Sequence, residues 1–175
     1  NSEPAGALSY NWVIPDSIGT QLRVKITDTG DASVTAASAT NFAIKGSVVL
    51  SSPNGSEIWT VGQNKNITWT KTGSIGNLKI EYSTNGGTTY PYTIVGTIPS
   101  ADLTYAWTVA DAISDTVRIK VTSLNDASVN DESDNNFKIK GILALLAPNG
   151  AETWIVGASQ NITWSRTGSI ANVKL

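Results

Sequence analysis

The chain contains no cysteine, no histidine and no methionine. Without cysteine there are no disulfides and no thiolate metal sites, so the fold must be held by burial and hydrogen bonding. Without histidine, Ser–His catalytic pairs and His–metal sites are ruled out by composition. A chain without methionine does not begin at its own initiator, which leads us to expect a processed product or a segment of something longer. Charge is scarce too: 15% of residues are charged and the net charge is −2. No basic surplus exists to neutralise phosphates, so nucleic acid is not an expected partner. A basic patch for a membrane surface is equally missing. The longest apolar run, "ILALLA" at 142–147, is far shorter than a membrane-spanning helix needs, so no membrane insertion is expected. The first residues, "NSEPAGALSY", have neither the basic region nor the apolar core of a signal peptide. What remains is a globular composition, 40% hydrophobic over 175 residues, enough for one domain or two small ones.

The dominant positive feature is repetition. "PNGSEIWTVGQNKNITWTKTGSIGNLK" at 53–79 returns as "PNGAETWIVGASQNITWSRTGSIANVK" at 148–174, an offset of 95 positions. The same offset pairs Tyr10 with Tyr105, Trp12 with Trp107, Arg23 with Arg118, and "NFAIKG" at 41–46 with "NFKIKG" at 136–141. No gap is needed, and residues 46–80 share 19 of 35 positions with 141–175. This reads as one complete repeat, 46–140, flanked by the C-terminal half of a preceding repeat, 1–45, and the N-terminal half of a following one, 141–175. Together the two halves lack only counterparts of 81–95.

Each repeat has the period-two pattern of strands. Ile67 and Trp69 alternate with threonines; Leu78, Ile80 and Tyr82 share a face; Val117, Ile119 and Val121 oppose Arg118 and Lys120; Phe137 and Ile139 oppose two lysines. "SPNG" at 52–55, "TGSIGN" at 72–77 and "STNGG" at 83–87 supply turns, the last a hairpin signal. No window has helical periodicity. The expected fold class is all-β, with tandem immunoglobulin-like β-sandwich repeats of 95 residues.

The string P-N-G-x-E-x-W-x-V-G, N-I-T-W, T-G-S-I, Y-x-W, R-I-K-V-T, D-A-S-V and F-K-I resembles a family of immunoglobulin-like surface repeats. That family includes tandem modules of large bacterial and archaeal surface proteins. It is also similar to the N-terminal domain of fungal Ser/Thr-rich, GPI-anchored wall proteins linked to glucan assembly. The resemblance covers the whole chain and implies an extracellular, noncatalytic module at the cell surface. One departure stands out: where members often have "STDGGSTW", this chain has "STNGGTTY" at 83–90, with Asn85 for Asp and Tyr90 for Trp.

Several residues invite a chemical role. Trp69 and Trp107 lie in alternating strands and are expected in the core. Trp59 follows a turn and, with Tyr90, is the candidate glycan contact. Asp126, Asp131, Glu132 and Asp134 are weak candidates for calcium, since their offset partners are Asp31, Ala36, Ala37 and Ala39. Glu57 and Lys79 recur as Glu152 and Lys174 and are candidates for a cross-strand ion pair. Glu57 with Asp111 is a remote candidate for a glycosidase carboxylate pair. Asn54, Asn66 and Asn161 head glycosylation sequons, although the recurring "NIT" also suits an exposed strand. No cofactor is expected.

The half-repeats carry the functional argument. Alone, each leaves an apolar face uncovered: Tyr10, Trp12, Phe42 and Ile44 at one end, Ile162, Trp164, Val173 and Leu175 at the other. Unpaired strand edges invite pairing. The expected partners are therefore further copies of the module, either in a longer covalent array or by strand complementation between chains. The expected role is an end-to-end surface stalk or filament, with a carbohydrate-binding wall module as the alternative.

Overall fold

Alternating β-branched and aromatic residues form strands along the chain. The computed structural model describes residues 2–175 and is all-β apart from two short 3-10 turns, Ala5–Ala7 and Ser100–Asp102. The N-terminal segment holds β1 Gly19–Leu22, β2 Lys25–Thr27, β3 Thr35–Ala37 and β4 Phe42–Ile44. The middle segment holds β5 Ser47–Ser52, β6 Ile58–Thr60, β7 Asn64–Thr72, β8 Asn77–Ser83, β9 Tyr92–Pro99, β10 Thr104–Thr108, β11 Ser114–Ser123, β12 Asn130–Glu132 and β13 Phe137–Lys140. The C-terminal segment holds β14 Ile142–Ala147 and β15 Thr163–Thr167.

In the middle segment two sheets enclose one core. One has the order β10-β7-β5; the other has the order β6-β13-β11-β8-β9, with β12 also on β11. The pairings are antiparallel except β6 with β13, which is parallel. Leu50, Ile67 and Trp69 from the first sheet meet Leu78, Ile80, Val117, Ile119, Val121, Phe137 and Ile139 from the second, and all are buried. These are the faces expected from the alternation. The β8–β9 hairpin also forms. Its loop is ordered by Ser83, whose buried hydroxyl donates to Asn85 Oδ1 at 2.7 Å and accepts the Asn85 and Gly87 amides.

The middle segment is assembled from two parts, and its strand pairings join them. Strands β5–β8 come from its first part and β10–β13 from its second. Three ladders cross between the parts: β7 with β10, β6 with β13, and β8 with β11. Buried polar groups add to the joint. The Trp69 indole N–H donates to the Ser100 carbonyl at 2.9 Å, and the Ser133 hydroxyl donates to the Pro53 carbonyl at 2.8 Å while accepting the Ile119 amide. Closing such long-range pairings costs chain entropy, which the shared apolar core offsets.

The flanking segments reproduce the local registers of these parts. Gly19 faces Ile44 and Leu22 faces Phe42, as Ser114 faces Ile139 and Val117 faces Phe137. Lys25 faces Ala37 as Lys120 faces Glu132. Leu145 faces Trp164 as Leu50 faces Trp69. Among the described residues, strands β1–β4 and β14–β15 form three separate two-stranded sheets, and no strand of the first group pairs with one of the second.

Candidate assembly surfaces and junctions

Each flanking segment presents the face that the middle segment buries. Trp164 on β15 is 40% exposed, whereas Trp69, 95 positions earlier, is 2% exposed. Trp12 is 40% exposed against 7% for Trp107, and Ile26 is 69% exposed against 0% for Val121. Ile162, Val173 and Leu175 are exposed, as is Tyr10, while Phe42 and Ile44 are half-buried. Trp12 meets Phe42 edge-on at 6.3 Å, so the N-terminal face already holds part of an aromatic cluster. Large exposed apolar patches of this kind mark interaction surfaces. The sequence-predicted assembly residues therefore fall on two open faces, one on each flanking segment.

The second feature is a pair of matching junctions between consecutive segments. The Asp16 carboxylate grips one serine twice: Ser74 N–H donates to Oδ1 at 3.0 Å and the Ser74 hydroxyl donates to Oδ2 at 2.7 Å. Asp111 grips Ser169 in the same way, at 2.9 Å and 2.5 Å. Both Asp–Ser pairs span 58 positions. The serine's hydroxyl, then its amide, hold each carboxyl below its ordinary value. Gly73 and Gly168, just before the serines, have φ of +78° and +86°. A Cβ at Gly73 would lie 3.1 Å from Asp16 Oδ1 and Ile18 Cδ1, and one at Gly168 would lie 3.2 Å from Asp111 Oδ1 and Ile113 Cδ1. The positive φ favours glycine at both positions, and any side chain there would also press on the gripping carboxylate. The first junction also has Lys45, which pairs with Asp126 at 3.2 Å and donates to the Ser128 hydroxyl.

These junctions were missed by sequence reasoning, which placed Asp111 only as a remote catalytic candidate. The available signal was the retention of both members, Asp16/Asp111 and Ser74/Ser169, at the common offset.

The structure corrects four other expectations. Trp59 is 5% exposed and packs against Trp107 and Phe137, with ring centroids at 6.0 Å and 5.0 Å, so its faces are core and not a stacking platform. Tyr90, its proposed companion, is half-buried, donates its hydroxyl to Glu132 at 2.7 Å and lies under Lys120. The four carboxylates suggested for calcium have four different tasks. Asp126 caps its own loop and meets Lys45, Asp131 accepts the Leu50 amide at 2.7 Å, Glu132 binds Tyr90 and Arg118, and Asp134 binds Asn54. No group of three or more His, Cys, Asp or Glu side chains is arranged to hold a metal ion among the described residues. Glu57 does not pair with Lys79; it accepts the Asn54 and Gly55 amides and closes the "PNG" turn, as Glu152 does with Asn149 and Gly150. Lys79 pairs instead with Glu81. Glu57 is also given no catalytic partner by this turn-capping role, and Asp111 is committed to Ser169. Among the described residues no helix is long and apolar enough to cross a membrane.

No family model, curated protein or solved structure matches this chain.

Proposed function

We propose that the chain is a noncatalytic structural repeat of an extracellular stalk or filament, built from immunoglobulin-like sandwiches joined end to end. One observation carries the reading. Two successive junctions use the same carboxylate, the same serine and the same glycine at one sequence offset, so the chain repeats a way of linking units as well as the units themselves. The parallel β6–β13 edge and the packing of a three-stranded sheet on a six-stranded one support the immunoglobulin-like assignment. The sequence resemblance supports the extracellular setting. Units join by completing one another's sandwiches, either along a longer chain or between chains.

Duplicating residues 46–140 in frame, once and then twice, tests this. X-ray scattering should show the maximum dimension growing by an equal increment per added copy, with the cross-section constant. A maximum dimension that does not grow in equal steps would overturn the proposal.

A further inference from the structure

The middle segment shows what each open face is shaped to receive. This inference rests on the sandwich-completion reading above and gives it an occupant and a register. We infer that residues 142–175 of one copy dock onto residues 5–44 of a second copy, as the two parts of the middle segment dock onto each other.

The apolar character of both faces is kept position by position. Leu50, Trp59, Ile67 and Trp69 become Leu145, Trp154, Ile162 and Trp164 on the donor face. Trp107, Ile119, Val121, Phe137 and Ile139 become Trp12, Val24, Ile26, Phe42 and Ile44 on the acceptor face. Trp59 sits between Trp107 and Phe137 in the middle segment, so Trp154 of one copy enters between Trp12 and Phe42 of the other. The Trp69 indole donates to the Ser100 carbonyl, so the Trp164 indole is directed at the Ala5 carbonyl. Ser38 is already placed: it accepts the Val24 amide at 3.0 Å, as Ser133 accepts the Ile119 amide, and its hydroxyl, which donates to the Val24 carbonyl at 3.3 Å, turns to the incoming Pro148 carbonyl as Ser133 does to Pro53.

The β7–β10 ladder fixes the register. Ala106 faces Asn66 and Tyr105 faces Ile67, so Asn11 faces Asn161 and Tyr10 faces Ile162 across the copies. A second copy is the occupant because it supplies this whole set of side chains in this order, with backbone registers already formed. Four side-chain bonds are not reproduced: those of Asp131 to Leu50, Asp134 to Asn54, Ser123 to the Ile75 carbonyl and Thr108 to Asn64 correspond to Ala36, Ala39, Asp28 and Val13 on the acceptor. Counterparts of 81–95 are also missing, so the contact is weaker than the joint within the middle segment.

Because the chain has no cysteine, engineered thiols report only the designed contact. The Trp69 amide donates to the Leu103 carbonyl, and strand alternation then makes Asn66 and Ala106 a non-hydrogen-bonded pair with close side chains. Full-length Asn11→Cys and Asn161→Cys chains, mixed and oxidised, should form a mixed disulfide at least tenfold faster than Asn11→Cys with Thr163→Cys, whose partner position is Ser9. Adding Trp164→Ala to the Asn161→Cys chain should slow it again. Equal rates for the two pairs, or no effect of Trp164→Ala, overturn the docking. Binding of an unrelated protein to the open faces in place of a copy, seen as no self cross-link, does the same. If cross-linking fails while the duplicated chains lengthen in equal steps, only this inference falls and the stalk reading stands.

Discussion

The same substitution made at two offset-related tryptophans should have very different costs. Trp69 is buried, and its indole N–H holds the Ser100 carbonyl. Burying such a ring removes ~150–250 Å² from water, worth about 4–6 kcal/mol at ~25 cal/mol per Å². Measured Trp-to-Ala losses in cores run about 3–5 kcal/mol, and we expect Trp69→Ala to fall there. That is a large share of the ~5–15 kcal/mol that keeps a small domain folded. Trp164 lies in the same local sequence but is 40% exposed. Trp164→Ala should therefore shift unfolding of the middle segment by less than about 0.5 kcal/mol, the usual range for a surface change. Urea unfolding in dilute solution, read from amide exchange of Ile119 and Val121, measures both without relying on the lost fluorophore. At high concentration the outcome changes. Taking Trp164 from 40% to the 2% exposure of Trp69 buries roughly 90 Å², ~2 kcal/mol, so Trp164→Ala should weaken self-association by about 30-fold. Equal losses for the two substitutions in dilute solution would refute the argument that position in the assembly, and not local sequence, sets the cost.

Three further outcomes are expected. Ser133→Ala removes a buried hydroxyl that joins Pro53 to Ile119, and should cost the middle segment about 1–3 kcal/mol in urea unfolding. Asp111 has a carboxyl held below the ordinary value, so its contribution is present above that value and lost as pH falls through the lowered one. Residual dipolar couplings should thus show one fixed orientation of the middle and C-terminal segments from neutral pH down to about 4, loosening below it, while Asp111→Ala loosens it at every pH. Gly73→Val places a branched side chain at positive φ against Asp16 and Ile18, and should free the N-terminal segment in the same measurement while also costing the middle segment, whose β7–β8 turn holds Gly73, about 1–3 kcal/mol in urea unfolding.

Much of the fold is legible from strand alternation, because a half-buried strand must keep its apolar residues in phase. Trp69, Ile80, Ile119 and Ile139 all face the core as their spacing requires. The turns at "PNG" and "STNGG" were legible from residue type. Trp59 was misread as a glycan contact, because one tryptophan on a three-residue strand has no period to read; its burial comes from β6 pairing with β13 in the second sheet. The carboxylates were misjudged for a related reason. Nearness in sequence, as for Asp126 to Asp134, says little when successive residues of a strand point to opposite faces and turn residues cap their own loops. The Asp–Ser junctions join residues 58 positions apart and leave no local pattern. Only comparison across the offset exposes them.

The two junctions have a geometric consequence. A rigid step made twice with the same atoms is the same rotation and translation each time. In the assembly proposed above, iterating one such step would generate a regular screw, with the carboxylate–serine grip helping to set its pitch and handedness. Altering that grip would then change the twist of every turn along a long assembly, so a shift of a few degrees at Asp111 would accumulate into a visibly different rope.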